Sequence, residues 1–120
     1  MPTFLAVAKS WLSFQRAHED KDIWALDDLD DKIRTDPASA WEIVSELCRH
    51  AQSDDELCAI GAGPVEDLVR QYGETAVQQL EKVIELDHRF ATVAACVWAW
   101  GSSARPSIDR LLEKYEQRHL

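Results

Sequence analysis

The sequence predicts an all-α protein of seven or eight short antiparallel helices. Three observations carry that expectation. Apolar residues recur at i, i+3, i+4 and i+7 in one segment after another, the spacing of a single helix face. Prolines stand where helices restart, at Asp36-Pro37, Gly63-Pro64 and Pro106; proline suits the first helical position because its missing N–H would have no partner there anyway. The 120 residues are 46% apolar, enough for one core without metal or disulfide support. A single domain over residues 1–120 is therefore expected.

Taken in order, residues 2–19 place Phe4, Val7, Ala8, Trp11 and Leu12 on one face of a first helix, and Asp20-Lys21-Asp22 breaks it. Residues 22–35 keep Leu26, Leu29 and Ile33 in register while aspartates crowd the remaining surface. Aspartate is a mediocre helix former away from the N-terminus, so this helix relies on tertiary packing. Asp36 caps the next helix, 37–51, which buries Trp41, Val44, Leu47, Cys48 and Ala51. Ser53-Asp54-Asp55-Glu56 spells a capping box and opens a short helix carrying Leu57 and Ile60.

Gly61-Ala62-Gly63-Pro64-Val65-Glu66-Asp67-Leu68 follows. Here Gly63 is the expected N-cap and Pro64 the first helical residue. Glu66 and Asp67 fall in the first turn, where carboxylates offset the positive helix end. Val65, Leu68, Val69 and Tyr72 form its apolar face, and Gly73 stops it in the left-handed conformation. Gly61 and Gly63 let the chain hinge or let another backbone come close. Beyond Gly73, a helix capped by Thr75 and Gln78 carries Val77, Leu80, Val83 and Ile84, and Asp87 ends it and caps its successor. Residues 88–100 are apolar almost all round, which predicts a surrounded helix and the most buried element. Gly101–Ala104 reads as a loop, and Pro106 starts the last helix. Ile108, Leu111, Leu112 and Tyr115 there repeat the spacing of Val65, Leu68, Val69 and Tyr72 at an offset of 43 residues. That period lies within the range of HEAT-like helix pairs; the alternative is an irregular helical bundle.

The Gly61–Leu68 run, with Tyr72-Gly73 behind it and Val97-Trp98 further on, resembles an uncharacterised family of small bacterial helical domains. Its members typically carry Leu where this chain has Val65. The resemblance covers mainly residues 53–100. It implies a helical fold and a bacterial origin, and it supplies no catalytic residue.

Charge narrows the partners. The formal net charge is −9 and the isoelectric point about 4.8. Both argue against direct nucleic-acid binding, which uses basic patches, and against docking on anionic lipid. They suit a basic partner protein. Cys48, Cys58 and Cys96, an odd count without a C-x-x-C pair, predict reduced, buried thiols in a cytoplasmic protein. No signal peptide is visible, and the apolar run Phe90–Trp100 is too short to span a bilayer.

Motifs for chemistry are incomplete. Asp27-Asp28-Leu29-Asp30-Asp31 matches the D-D-x-x-D pattern that holds magnesium in prenyl-transfer enzymes, yet the second metal motif and room for a deep cavity are absent. A calcium loop would need a glycine turn. Glu85-Leu86-Asp87-His88 is only half of a di-iron set. The Cys48/His50 and Cys96/His88 pairs lack zinc spacing, and a reactive thiol needs an accessible, electropositive setting. His18 and His119 lie near helix ends or the terminus, where exposure is the default. The serines have no nucleophile-elbow context. No metal, cofactor or enzymatic activity is expected.

The tryptophans and the acidic run remain. Trp11, Trp41 and Trp98 fall on predicted core faces. Trp24 lies off the Leu26/Leu29/Ile33 stripe, beside Asp27, Asp28, Asp30 and Asp31. Residues 19–36 carry eight acidic and three basic side chains, more than half of the net charge. An exposed tryptophan ringed by aspartates has the chemistry of a binding hot spot with a charged rim; the alternative is that Trp24 tucks onto the first helix. The expected function is non-enzymatic: an immunity- or inhibitor-type protein covering a basic site on a partner such as a toxin. A nucleic-acid mimic that blocks a nucleic-acid-binding protein, and a small enzyme with an unrecognised site, are the rivals.

Overall fold

A computed structural model describes residues 2–119, and every regular element among them is helical. The elements are α1 (Phe4–Ala17), α2 (Ile23–Thr35), α3 (Pro37–His50), α4 (Asp54–Ile60), α5 (Glu66–Tyr72), α6 (Glu74–Leu86), α7 (Ala91–Ala95) and α8 (Arg105–Lys114), with 3₁₀ turns at Asp20–Asp22 and His88–Phe90. The chain divides into two compact units, residues 1–56 and 57–120.

In the first unit α1, α2 and α3 pack against one another. Val7, Ala8, Trp11 and Leu12 of α1, Ala25, Leu29 and Ile33 of α2, and Ala40, Trp41, Ile43, Val44, Leu47 and Cys48 of α3 are all buried. The caps explain where the helices begin. The Thr3 hydroxyl accepts the Ala6 N–H at 3.0 Å. Asp36 accepts the Ser39 N–H at 3.3 Å and the Ser39 hydroxyl at 2.6 Å; these bonds favour the ionised form and hold its carboxyl below the usual range. Glu56 accepts two bonds from the Arg16 guanidinium, at 2.6 and 2.9 Å. The expected capping box is half formed: the Glu56 N–H donates to Ser53 Oγ, while the Glu56 carboxylate takes the Gln52 N–H.

The second unit departs from the sequence expectation at the glycine-rich run. Gly61–Val65 is no break but a single π turn that carries α4 into α5 without interruption. Pro64 therefore sits inside a helix rather than at its first position, and Gly63 is not an N-cap. The physical reason is geometric. Proline removes one N–H and its ring collides with the carbonyl four residues back, and an i→i+5 turn widens the helix at that point. The Glu66 N–H accordingly reaches the Gly61 carbonyl. The buried set Ile60, Gly61, Pro64, Val65, Leu68 and Val69 forms one stripe through the π turn, which is why the helix gains by continuing.

Gly61 does serve close approach. A Cβ there would collide with the Val93 carbonyl oxygen and stand 3.2 Å from Cys96 Cβ. One turn before it, Cys58 forms a disulfide with Cys96, their Cα atoms 5.2 Å apart. The expectation of reduced thiols is thus overturned for these two residues: spacing of 38 along the chain gave no sign of the pairing, because the π turn and α7 are brought together by packing. Cys48 lies buried in α3, outside the bridge.

Gly73 stops α5 with φ 63° as expected. It also precedes α6 directly, so Thr75 and Gln78 are helical residues rather than caps. Asp87 ends α6 and accepts the Arg89 N–H at 2.9 Å. At the 43-residue offset Val65, Leu68 and Val69 are buried and Tyr72 half-buried, and Ile108, Leu111, Leu112 and Tyr115 follow the same pattern, although Val65 lies in the π turn and Ile108 in the first turn of α8. The expected helix 88–100 is only partly present. From Phe90 to Val97 every residue but the half-buried Thr92 is buried, and Ala99 with them, while His88 and Arg89 are exposed; α7 ends at Ala95 and a loop follows to Ala104.

Candidate functional site

The α2 surface in the first unit contains the partner-binding residues singled out from the sequence, Trp24, Asp27, Asp28, Asp30 and Asp31. Ala25, Leu29 and Ile33 face inward, and Trp24 is 38% exposed beside Ile23, exposed to the same degree. Helical spacing puts Asp27, Asp28 and Asp31 three, four and seven residues after Trp24, on its side of the helix, with Asp30 seven after Ile23. The carboxylates are not alike. Asp28 is half-buried and bonded to Lys32 Nζ at 2.8 Å. Asp31 meets Arg34 at 3.5 Å, both groups well exposed. Asp27 and Asp30 make no ion pair among the described residues. Partial burial pushes the Asp30 carboxyl above its ordinary value and Asp27 adds to the rise, with Arg34 opposing it. The patch is therefore an apolar pair, Ile23 and Trp24, bordered by carboxylates of which two are already compensated on their own helix.

A second surface, in the other unit, was not legible from the sequence. It is the loop that replaces the end of the expected 88–100 helix. Trp98 is 39% and Trp100 60% exposed, against the expectation that Trp98 is core. Their rings stack with centroids 5.7 Å apart. The reason lies with Glu66. Its carboxylate, only 13% exposed, accepts the Trp98 N–H at 2.7 Å and the Ala99 N–H at 3.0 Å. Those backbone groups would otherwise extend the helix. Ala99 is drawn to φ 49°, a conformation that a non-glycine residue holds only when its surroundings enforce it. The role expected of Glu66, compensating a helix N-terminus, is thereby corrected: it anchors a loop. Asp67, its neighbour, is exposed on α5.

Cations complete the anchoring. Arg70 pairs with Glu66 at 2.6 Å and donates to the Trp100 carbonyl at 3.0 Å. Arg105 donates to the Trp98 carbonyl at 2.5 Å, pairs with Asp109 at 3.0 Å, and lies 4.0 Å from the Trp100 ring centroid. The His119 Nε2–H donates to the Val97 carbonyl at 2.6 Å, and its ring meets Trp98 edge-on at 4.2 Å. His119 is thus engaged, not merely a terminal exposed residue. The only advance signals were weak ones: the glycine at 101 just past Trp100, and the spacing of four between Glu66 and Arg70.

A cavity of about 260 Å³ opens between α6 and α8. The Ser107 hydroxyl donates to Glu74, Arg110 donates to Ser107 Oγ at 2.7 Å, and Lys114 bonds Glu81 at 2.6 Å. Among the described residues no three His, Cys, Asp or Glu side chains gather as a metal site, and no helix is long and apolar enough to cross a membrane.

No curated protein and no solved structure matches the chain. A family model matches residues 13–119, a span that includes α2, the π turn with Glu66, and the Trp98–Trp100 loop. The chain belongs to that family, the family of unknown function DUF6869.

Proposed function

We propose that this chain is a non-enzymatic protein-binding module that uses the α2 face to cover a basic site on a partner protein, in the manner of immunity proteins and inhibitors. One observation carries it. Ile23 and Trp24, large and apolar, stand side by side in solvent on the helix that also exposes Asp27, Asp30 and Asp31. An aromatic anchor supplies contact area at low entropic cost, and a charged rim steers the approach of an opposite charge. The overall charge of −9 works in the same direction at long range. A nucleic-acid mimic would need carboxylates spread along an extended surface, whereas these occupy one face of a helix of 13 residues. A bacterial origin belongs to this proposal. A cytoplasmic setting, expected from the sequence, weighs against the Cys58–Cys96 bridge, since such bonds persist in oxidising compartments.

Stopped-flow association with the partner captured from the native host tests it. Replacing Asp27, Asp28, Asp30 and Asp31 by Asn should slow association roughly tenfold or more at low salt and flatten its salt dependence. Trp24→Ala should leave that rate nearly unchanged and speed dissociation, at a cost of about 2 kcal/mol or more. Unchanged rates and an unchanged salt slope in the four-fold variant would remove the proposal.

A further inference from the structure

We propose that the Cys58–Cys96 bridge is a redox switch: its opening by a small thiol lets α7 lengthen through Trp100 and separates the stacked Trp98 and Trp100 rings. The position of the bridge is the first ground. Cys96 is the residue on which α7 stops, and it is tied to Cys58 in α4, just ahead of the π turn. From there the backbone tightens. The Cys96 N–H bonds the Val93 carbonyl and the Val97 N–H the Ala94 carbonyl, each three residues back, the pattern that closes a helix end.

A different conformation written in the same residues is the second ground. Residues 93–100 are apolar without interruption, the composition of a surrounded helix. Ala99 is held at φ 49°, where a non-glycine residue stays only under constraint, although alanine is the best helix former. In a lengthened α7 the Val97, Trp98 and Ala99 N–H groups bond the Val93, Ala94 and Ala95 carbonyls, four residues back. Arg70 keeps Glu66 and Arg105 keeps Asp109 as ion-pair partners, so neither arginine is stranded by the change. Side chains two residues apart do not face each other on a helix. The present ring stack, with centroids 5.7 Å apart, therefore belongs to the bridged form alone.

Access sets the order of events. Cys58 is partly exposed, whereas Cys96 is 1% exposed. The thiolate of a low-molecular-weight thiol attacks the Cys58 sulfur, the S–S bond breaks, and Cys96 leaves as a thiolate and takes up a proton. A second small thiol attacks the mixed disulfide, departs as the oxidised small disulfide and returns Cys58 as a thiol. The bridge gains two electrons and two protons, and the two small thiols lose them. The small disulfide reverses the sequence. Cys48 is buried in α3, outside the bridge. A thiol–disulfide change becomes a switch when it biases an element with two packings, and that element is the stretch 96–100.

NMR of the full chain tests it, with indole N–H signals assigned by single Trp→Phe variants and backbone Cα chemical shifts read at residues 97–100. Dithiothreitol should move the Trp98 and Trp100 signals, carry those Cα shifts to helical values and leave the Trp24 signal in place. Glutathione disulfide should restore the starting spectrum. Cys58→Ser should give the reduced spectrum without reductant; if that variant does not fold, the reductant series on the unaltered chain decides alone. Glutathione trapped on the chain during partial reduction should sit on Cys58 about tenfold or more over Cys96 by peptide mass spectrometry. Loop signals that ignore the reductant, Cα shifts that stay non-helical, loss of the Trp24 signal along with them, or glutathione mainly on Cys96 overturns the proposal. None of these outcomes bears on the α2 face, so the two proposals fail separately.

Discussion

Trp24 and Trp98 are exposed to almost the same degree, 38% and 39%, yet they reach the surface by different physics. Trp24 stands on a regular helix, where the 3.6-residue period alone turns it away from Ala25, Leu29 and Ile33. Its acidic neighbours are local in sequence and stay exposed because carboxylates do not bury without partners. Trp98 lies in one of the most apolar stretches of the chain and should by pattern be interior. It is outside because Glu66, 32 residues earlier, takes the amides that would have carried the helix on. One surface is a property of a helix; the other is a property of a contact between distant residues. The lesson is that an apolar run identifies a buried backbone, and which of its side chains turn outward depends on where the backbone hydrogen bonds go.

If that contrast is right, the loop surface should fail when its long-range supports are removed, while α2 should be altered only by local changes. The largest effect is expected from the disulfide. Cys58 and Cys96 close a loop of 38 residues, and the chain-entropy model puts the loss on opening it at about 4 kcal/mol. Chemical denaturation with and without a dithiol reductant should show a matching drop in midpoint. A midpoint that does not move would mean that the bridge is absent from the protein in solution.

Next comes the anchor itself. Glu66→Ala removes the acceptor of two amides, one part-buried and one exposed, and the ion-pair partner of the half-exposed Arg70, and each such lost bond contributes ~0.5–1.5 kcal/mol. A total of about 3 kcal/mol is expected, together with movement of the Trp98 and Trp100 indole signals. Trp24→Ala should cost about 1 kcal/mol, because the side chain is already partly in water. Equal costs for the two variants would erase the distinction between the surfaces.

The smallest effect belongs to α2. The Asp30 carboxyl lies above its ordinary value, first through burial and then through Asp27. A raised carboxyl means that the unfolded chain ionises more readily than the folded one. Ionised Asp30 therefore costs stability at neutral pH, a cost that vanishes below the ordinary carboxylate pKa of about 4 and grows as pH rises through the folded value. Asp30→Asn should stabilise the fold slightly at pH about 7, by less than about 0.5 kcal/mol, and have no effect at pH about 3. A destabilisation at neutral pH would show that Asp30 makes a favourable contact in its ionised form.

Local signals are legible in the sequence. Asp36 with Pro37, Asp87, Gly73 and the stripe of α1 are where cap chemistry and periodicity put them, since each depends on residues within one or two turns. The glycine-rich run misleads for the same reason. Gly63-Pro64 has the chemistry of a helix start, and only the continuous burial of Ile60 through Val69 makes a π turn through the proline the better solution. The Cys58–Cys96 pairing and the part played by His119 were equally out of reach, since neither has a spacing that marks it.

By itself, then, the sequence determined the all-helical class, most helix limits and the acidic face of α2, because propensity, capping and periodicity act over a few residues. Tertiary structure decided whether Pro64 breaks a helix, whether Cys58 and Cys96 are thiols, and whether Trp98 is core or surface. Those outcomes turn on groups far apart in the chain, and their energies exist only once packing has brought Gly61 against Val93 and Glu66 under the Trp98–Trp100 loop.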